Sequence, residues 1–279
     1  MKKENNIKTI AASLGFFAIY TVVTNLVSLS VQFFYYFTYS ELRIADYEAF
    51  KQQVQAAIQA NSMYIALVQA GLFLVILFVI FRVRGTSLLT RIRWNPASKQ
   101  IYALVAAFAI FNVITLNFLI DFLPKSWLQG VSDYTATFTS GGLFLNILLV
   151  VITGPFMEEV LMRGLMTVRL LGRLPLWFVI AFPTILFGLG HASGGMGQII
   201  GTTITGLVFA LIFVWTNSLR AAVLAHATNN LLAAFLPWDA IKAGMSTPIQ
   251  LMVGIVGLAI TVFMAHMIYK QWDKKIEIV

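Results

Sequence analysis

Residues 142–168 read GLFLNILLVVITGPFMEEVLMRGLMTV, almost wholly apolar but for Asn146 and three charges packed into six positions, Glu158, Glu159 and Arg163. A helix needs about 20 such residues to cross the roughly 30 Å of a bilayer's hydrocarbon. This run is long enough to tilt or project. The rest of the chain settles its solvent. Of 279 residues, 59% are hydrophobic and 11% charged, with a mean hydropathy of +0.84. Soluble domains run near 45–50% apolar and about 25% charged, so a single aqueous core could not hide this much apolar surface.

Working outward, further apolar runs fall near 9–37, 62–81, 101–123, 175–192, 199–216, 219–236 and 248–269. With 142–168 they predict an all-α, polytopic membrane protein of about eight spans, placed in the cell membrane. The first run has the basic start of a signal peptide, but it is far longer than a signal core of about 7–15 residues. We expect it to stay as a span. The four runs from 142 to 236 follow one another through short turns and should form an antiparallel bundle. Residues 1–141 then hold the N-terminal helices and loops, 142–236 the bundle, and 237–279 the last span and a basic tail.

Charge sets the expected orientation. With the N-terminus inside, 14 of the 19 Lys and Arg residues fall on cytoplasmic loops and tails, four fall outside and Arg163 lies within a span. That is the positive-inside pattern, and an even number of spans puts both termini in the cytoplasm. The net charge of +8 therefore reads as topology, and no nucleic-acid partner is expected. The six tryptophans fall near span ends, as interfacial anchors do. The outer segment 38–61 is polar and of mixed charge, suited to an interfacial helix. The absence of cysteine excludes disulfides, thiol nucleophiles and cysteine metal sites.

An ionisable side chain in hydrocarbon costs about 2.5–3.5 kcal/mol on insertion scales, so one that persists is a functional candidate. Nine of the eleven acidic residues lie in expected loops, tails or span ends: Glu4, Glu41, Asp46, Glu48, Asp121, Asp133, Asp239, Asp273 and Glu277. The exceptions are Glu158 and Glu159. Two histidines, His191 in FGLGHASGG and His226 in AVLAHATNN, also lie in spans. Helix phase separates the glutamates. Residues four apart share a face, and neighbours point about 100° apart. Glu159 therefore pairs with Arg163 in the favourable order. Glu158 has no such local partner, so its charge must be met from another helix. We expect it to face His191. The same rule puts Phe187 with His191, and His226 with Asn230, on shared faces.

A carboxylate beside an imidazole can activate water as a general base. A second imidazole with an amide N–H can stabilise the oxyanion that forms on an attacked carbonyl. Such a layer would hydrolyse an amide with no covalent nucleophile. Ser193 is the nearest hydroxyl, and no G-x-S-x-G surrounds it.

At these residues the sequence resembles the CPBP (Abi) family of type II CAAX prenyl endopeptidases and bacteriocin-processing or self-immunity membrane proteins. The family pattern EExxxR, FxxxH and HxxxN is met in order by Glu158-Glu159 with Arg163, Phe187 with His191, and His226 with Asn230. The resemblance implies an intramembrane endopeptidase of the glutamate type. Glu158 and His191 would activate water, and His226 and Asn230 would form the oxyanion hole. Glu159, Arg163 and Phe187 would support them. It implies no metal and no cofactor. The partner would be a peptide or protein substrate in or at the bilayer, whether a leader, signalling, bacteriocin or prenylated CAAX-type peptide. Two alternatives stand beside it. Glu158, His191 and His226 could form the His₂Glu set of a zinc protease, although no H-E-x-x-H is present. The chain could instead be a non-catalytic membrane partner, serving bacteriocin self-immunity or modulating a sensor kinase.

Overall fold

The computed structural model describes residues 6–128 and 142–272. Lys2, Lys3, Glu4, Asp133, Asp273, Lys274, Lys275 and Glu277, sorted above by charge, lie outside these residues. Every expected span is a helix, and no strand occurs among the described residues. In chain order the helices are α1 (Asn6–Thr38), α2 (Ser40–Ala45), α3 (Tyr47–Ala60), α4 (Ser62–Val83), α5 (Leu88–Arg91) and α6 (Lys99–Leu119). They continue as α7 (Leu143–Leu170), α8 (Leu176–Leu189), α9 (Gly195–Thr216), α10 (Leu219–Phe235), α11 (Trp238–Lys242) and α12 (Thr247–Tyr269).

Six of these helices, α1, α4, α6, α7, α9 and α12, are long and apolar enough to cross a membrane. The chain is a multi-pass membrane protein. The other two expected spans are shorter. α8 has 14 residues and α10 has 17, so at 1.5 Å per residue they reach only about 21 and 25 Å. Both are packed within the bundle, α8 against α7 and α9, and α10 against α6, α7 and α9. A helix lodged among others has less need of full bilayer length. The polar segment 38–61 folds as α2 and α3, with Asp46 accepting from the Ala49 N–H at 3.0 Å to cap α3.

Close helix approach depends on small residues. A Cβ at Gly188 of α8 would lie within 1.9 Å of Thr203 Oγ1 on α9, so only glycine lets these two backbones meet as they do. α9 and α10 are joined by Asn217 and Ser218 alone. Asn217 takes the left-handed conformation (φ 49°) that ends α9, which asparagine tolerates better than other non-glycine residues. Ser218 caps α10 by accepting from the Ala221 N–H. The segment after α5 is tied to this turn. Arg93 Nη1 donates to Asn217 Oδ1 at 2.7 Å, Asn95 Nδ2 to Asn217 O at 2.9 Å, and Ser218 Oγ to Asn95 O at 2.6 Å. The clamp fixes how the amino-terminal helices seat against α7–α10.

Candidate active site

Everything of interest hangs on α7. It is not a uniform α-helix: Ile147–Thr153 and Val160–Thr167 are wound as π-helix, with an α-helical Gly154–Glu159 between them. π-helical turns are uncommon and concentrate at functional sites. Pro155 supplies a local cause. Its ring has no N–H and would clash with the carbonyl one α-turn back, and the ladder opens by one residue so that the Gly154 N–H reaches Leu149 O. Continued in that register, the next bond would run from residue 155 to Val150 O, and proline cannot make it. Asn230 fills the gap, its Nδ2 donating to Val150 O at 3.0 Å.

That bond sets the direction of a chain of amides. With Nδ2 spent on Val150, Asn230 Oδ1 accepts from Asn229 Nδ2 at 3.3 Å, and Asn229 Oδ1 accepts from Asn112 Nδ2 of α6 at 3.5 Å. Asn112 is buried. The amide of Asn230 is thereby oriented, and its second N–H remains beyond the bond to Val150.

One turn along α7, Glu159 and Arg163 are both 0% exposed, and Arg163 Nη1 lies 2.9 Å from Glu159 Oε1. This is the pair that helix phase anticipated. Leaving either charge alone at such depth would cost several kcal/mol. Arg163 Nη2 donates to Gly206 O of α9, and the guanidinium lies over the rings of Phe187 (5.1 Å) and Phe209 (5.7 Å), where ring quadrupoles favour a cation. Gly206 has to be glycine, because a Cβ there would sit 2.8 Å from Phe187 Cδ1.

Glu159 Oε1 takes a second bond, from His226 Nδ1 at 2.9 Å. A carboxylate can only accept from Nδ1, so that nitrogen carries hydrogen, and Nε2 is left facing Glu158 Oε2 at 3.5 Å. Phe209 stacks on His226 at 4.4 Å and 21°. His226, Glu159 and Arg163 are all but sealed, whereas the Glu158 side chain is 34% exposed.

His191 lies just past the end of α8, with Nδ1 2.8 Å from Phe187 O. A carbonyl can only accept, so Nδ1 is the donor, and Nε2 is the basic nitrogen. The Phe187 ring meets both imidazoles edge-on, His191 at 4.8 Å and His226 at 5.8 Å. The three motifs therefore converge on one site. Glu158 also meets His226 across the interface of α7 and α10, a contact that spacing within either helix cannot reveal. Gly206, Phe209, Asn112 and Asn229 were not anticipated. A glycine inside an apolar run marks the first, and nothing distinguishes Phe209 among 23 phenylalanines. Among the described residues no group of three or more His, Asp and Glu side chains is arranged to hold a metal ion.

Buried, hydrogen-bonded charge inside a membrane helix bundle marks a functional-site candidate. Residues 139–232 match the family described as "Type II CAAX prenyl endopeptidase Rce1-like", a stretch that contains all three motifs, and this assignment is consistent with the CPBP family. No curated protein and no solved structure matches the chain.

Proposed function

We propose that the chain is a glutamate-type endopeptidase that hydrolyses a peptide bond of a membrane-associated peptide near the cytoplasmic face. Glu158, with His191 Nε2, takes a proton from water, and the resulting hydroxide attacks the scissile carbonyl carbon. His226, protonated at Nε2, and the second N–H of Asn230 donate to the oxyanion. The proton held by Glu158 then passes to the departing amine as the C–N bond breaks. Glu159 and Arg163 hold His226 in place. The observation that carries the reading is the uneven burial of the quartet: three members are sealed and only Glu158 keeps exposed side-chain surface. Leader, signalling, bacteriocin and prenylated CAAX-type peptides are the substrate classes this chemistry would serve.

The test compares the peptides in membranes of cells carrying the wild-type chain with those carrying Glu158→Gln or His191→Gln, at matched accumulation. At least one peptide terminus should depend on both residues. Identical peptidomes, with any phenotype retained in both variants, would favour a non-catalytic membrane partner. Cleavage that is lost to a chelator and restored by zinc would replace the glutamate mechanism with a metal one.

A further inference from the structure

α1 is held to α7 through one face. Thr9 and Ser13 are wholly buried, and Ser13 Oγ donates to Met166 O at 3.4 Å. Ser13 lies near the start of α1 and Met166 near the end of α7, so these two spans of one bilayer run antiparallel. Seven residues make close to two full turns, which brings Tyr20 onto the face of Ser13 and about 10 Å farther along. Glu158 lies eight residues back from Met166. Tyr20 and Glu158 therefore stand at about the same depth on facing helices. α1 packs along Val160–Leu170 and far less against Gly154–Glu159. The two helices thus separate at the level of Glu158, the one member of the quartet with exposed side-chain surface.

Tyr20 lines the far side of this space. Its ring meets Phe73 of α4 edge-on at 5.4 Å and 75°, which restrains the phenol. Its neighbours on the inward face of α1, Phe16, Phe17 and Val23, are apolar, and Phe16 stacks on Phe81 at 6.2 Å. The Tyr20 hydroxyl is the polar atom that this wall presents. Among the described residues it has no hydrogen-bond partner, and the charge of Glu158 reaches it with no bond joining the two. Tyr20 sits about 21 Å from one end of α1 and about 27 Å from the other, too deep to turn its hydroxyl to water at an interface. A phenol so placed ordinarily finds a partner.

We propose that Tyr20 is a substrate-binding residue of this site, its hydroxyl donating to a main-chain carbonyl of the bound peptide beside the scissile bond. The inference rests on the proteolytic reading above and adds to it the wall that holds the substrate. A peptide drawn into the bundle leaves water, and its backbone groups then need partners from the protein. On the α1 side Tyr20 supplies one. A peptide carbonyl accepts from the phenol and leaves Glu158 to the water. A carbonyl inside a helix is already engaged by its own N–H ladder, so the peptide must be extended where Tyr20 grips it.

The probe is a synthetic peptide spanning a terminus whose formation in cell membranes depends on Glu158, cleaved by the purified full chain in detergent. Tyr20→Phe keeps the ring against Phe73 and removes only the hydroxyl. It should raise KM about 3- to 10-fold, the scale of one lost hydrogen bond, while kcat changes less and the unfolding temperature stays at the wild-type value. In a Glu158→Gln background, which should not cleave, the same substitution should weaken binding of the labelled peptide by a similar factor. Unchanged KM and affinity would overturn the role of Tyr20 and leave the protease standing. So would a lowered unfolding temperature, or a fall in kcat alone, which would assign the hydroxyl to the water and not to the peptide. The absence of any Glu158-dependent terminus would defeat both readings.

Discussion

The bond from Asn230 to Val150 exists, on our reading, because Pro155 withholds an N–H. That makes two distant residues thermodynamically coupled in a definite sense. Asn230→Ala leaves the Val150 carbonyl without its donor, at 3.0 Å in the native protein. An orphaned polar group of this kind costs about 1–3 kcal/mol, or roughly 3–8 °C in unfolding temperature for a chain of this size. Pro155→Ala restores a backbone N–H at the position where the opened ladder lacks one. In that background Val150 has a second source of donation, and the loss from Asn230→Ala should shrink to below about 0.5 kcal/mol, the limit within which independent sites add. The four proteins would be compared in one detergent by thermal unfolding, read from intrinsic tryptophan fluorescence. A coupling of about 1–2 kcal/mol is expected. An equal fall in both backgrounds would refute the reasoning, since Asn230 would then not be replacing what Pro155 removes.

Arg163→Met leaves Glu159 buried without its cation and should cost about 3–5 kcal/mol, seen as a fall in unfolding temperature that Glu159→Gln in the same chain partly reverses. Arg91 lies outside the spans, where burial, and then the nearby Arg169, Arg173 and Arg84, pull its pKa below the usual arginine value. A base whose folded pKa is depressed is disfavoured in its charged form by folding, and the penalty is present at every pH below that range. Arg91→Gln should therefore raise the unfolding temperature at low ionic strength, and added salt should narrow the difference by screening the repulsion.

How much was legible follows from which distances a sequence encodes. The apolar runs placed the eight expected spans, because hydrocarbon thickness imposes a length that composition reveals directly. The Glu159–Arg163 pair was legible because both ends lie on one helix, one turn apart. The short reach of α8 and α10 was harder to see. Their apolar runs continue into the turns at Gly190 and Leu236, and only the packing shows that the bundle accepts less than a full span. The contact of Glu158 with His226 was out of reach for a different reason. It depends on how α10 is seated by the Asn217–Ser218 turn and the clamp from Arg93 and Asn95, which spacing within one helix does not encode.

Pro155 shows where residue-level reading and structure part company. A proline inside a helix ordinarily kinks it. The structure answers instead with an opened ladder, and the surplus carbonyl is met by a side chain 80 positions away. The amide so recruited belongs to Asn230, the residue that the motif alone would reserve for chemistry. The bond to Val150 does not conflict with the proposed role, because a carboxamide has two N–H groups and this bond engages one of them. A defect in one helix thus holds the orientation of a group on another, and the chain Asn112–Asn229–Asn230 extends that hold to α6. Under the oxyanion role proposed above, replacing Asn230 with a residue that offers a single donor would force a choice between the fold of α7 and the oxyanion, which would be a physical reason for an amide at this position.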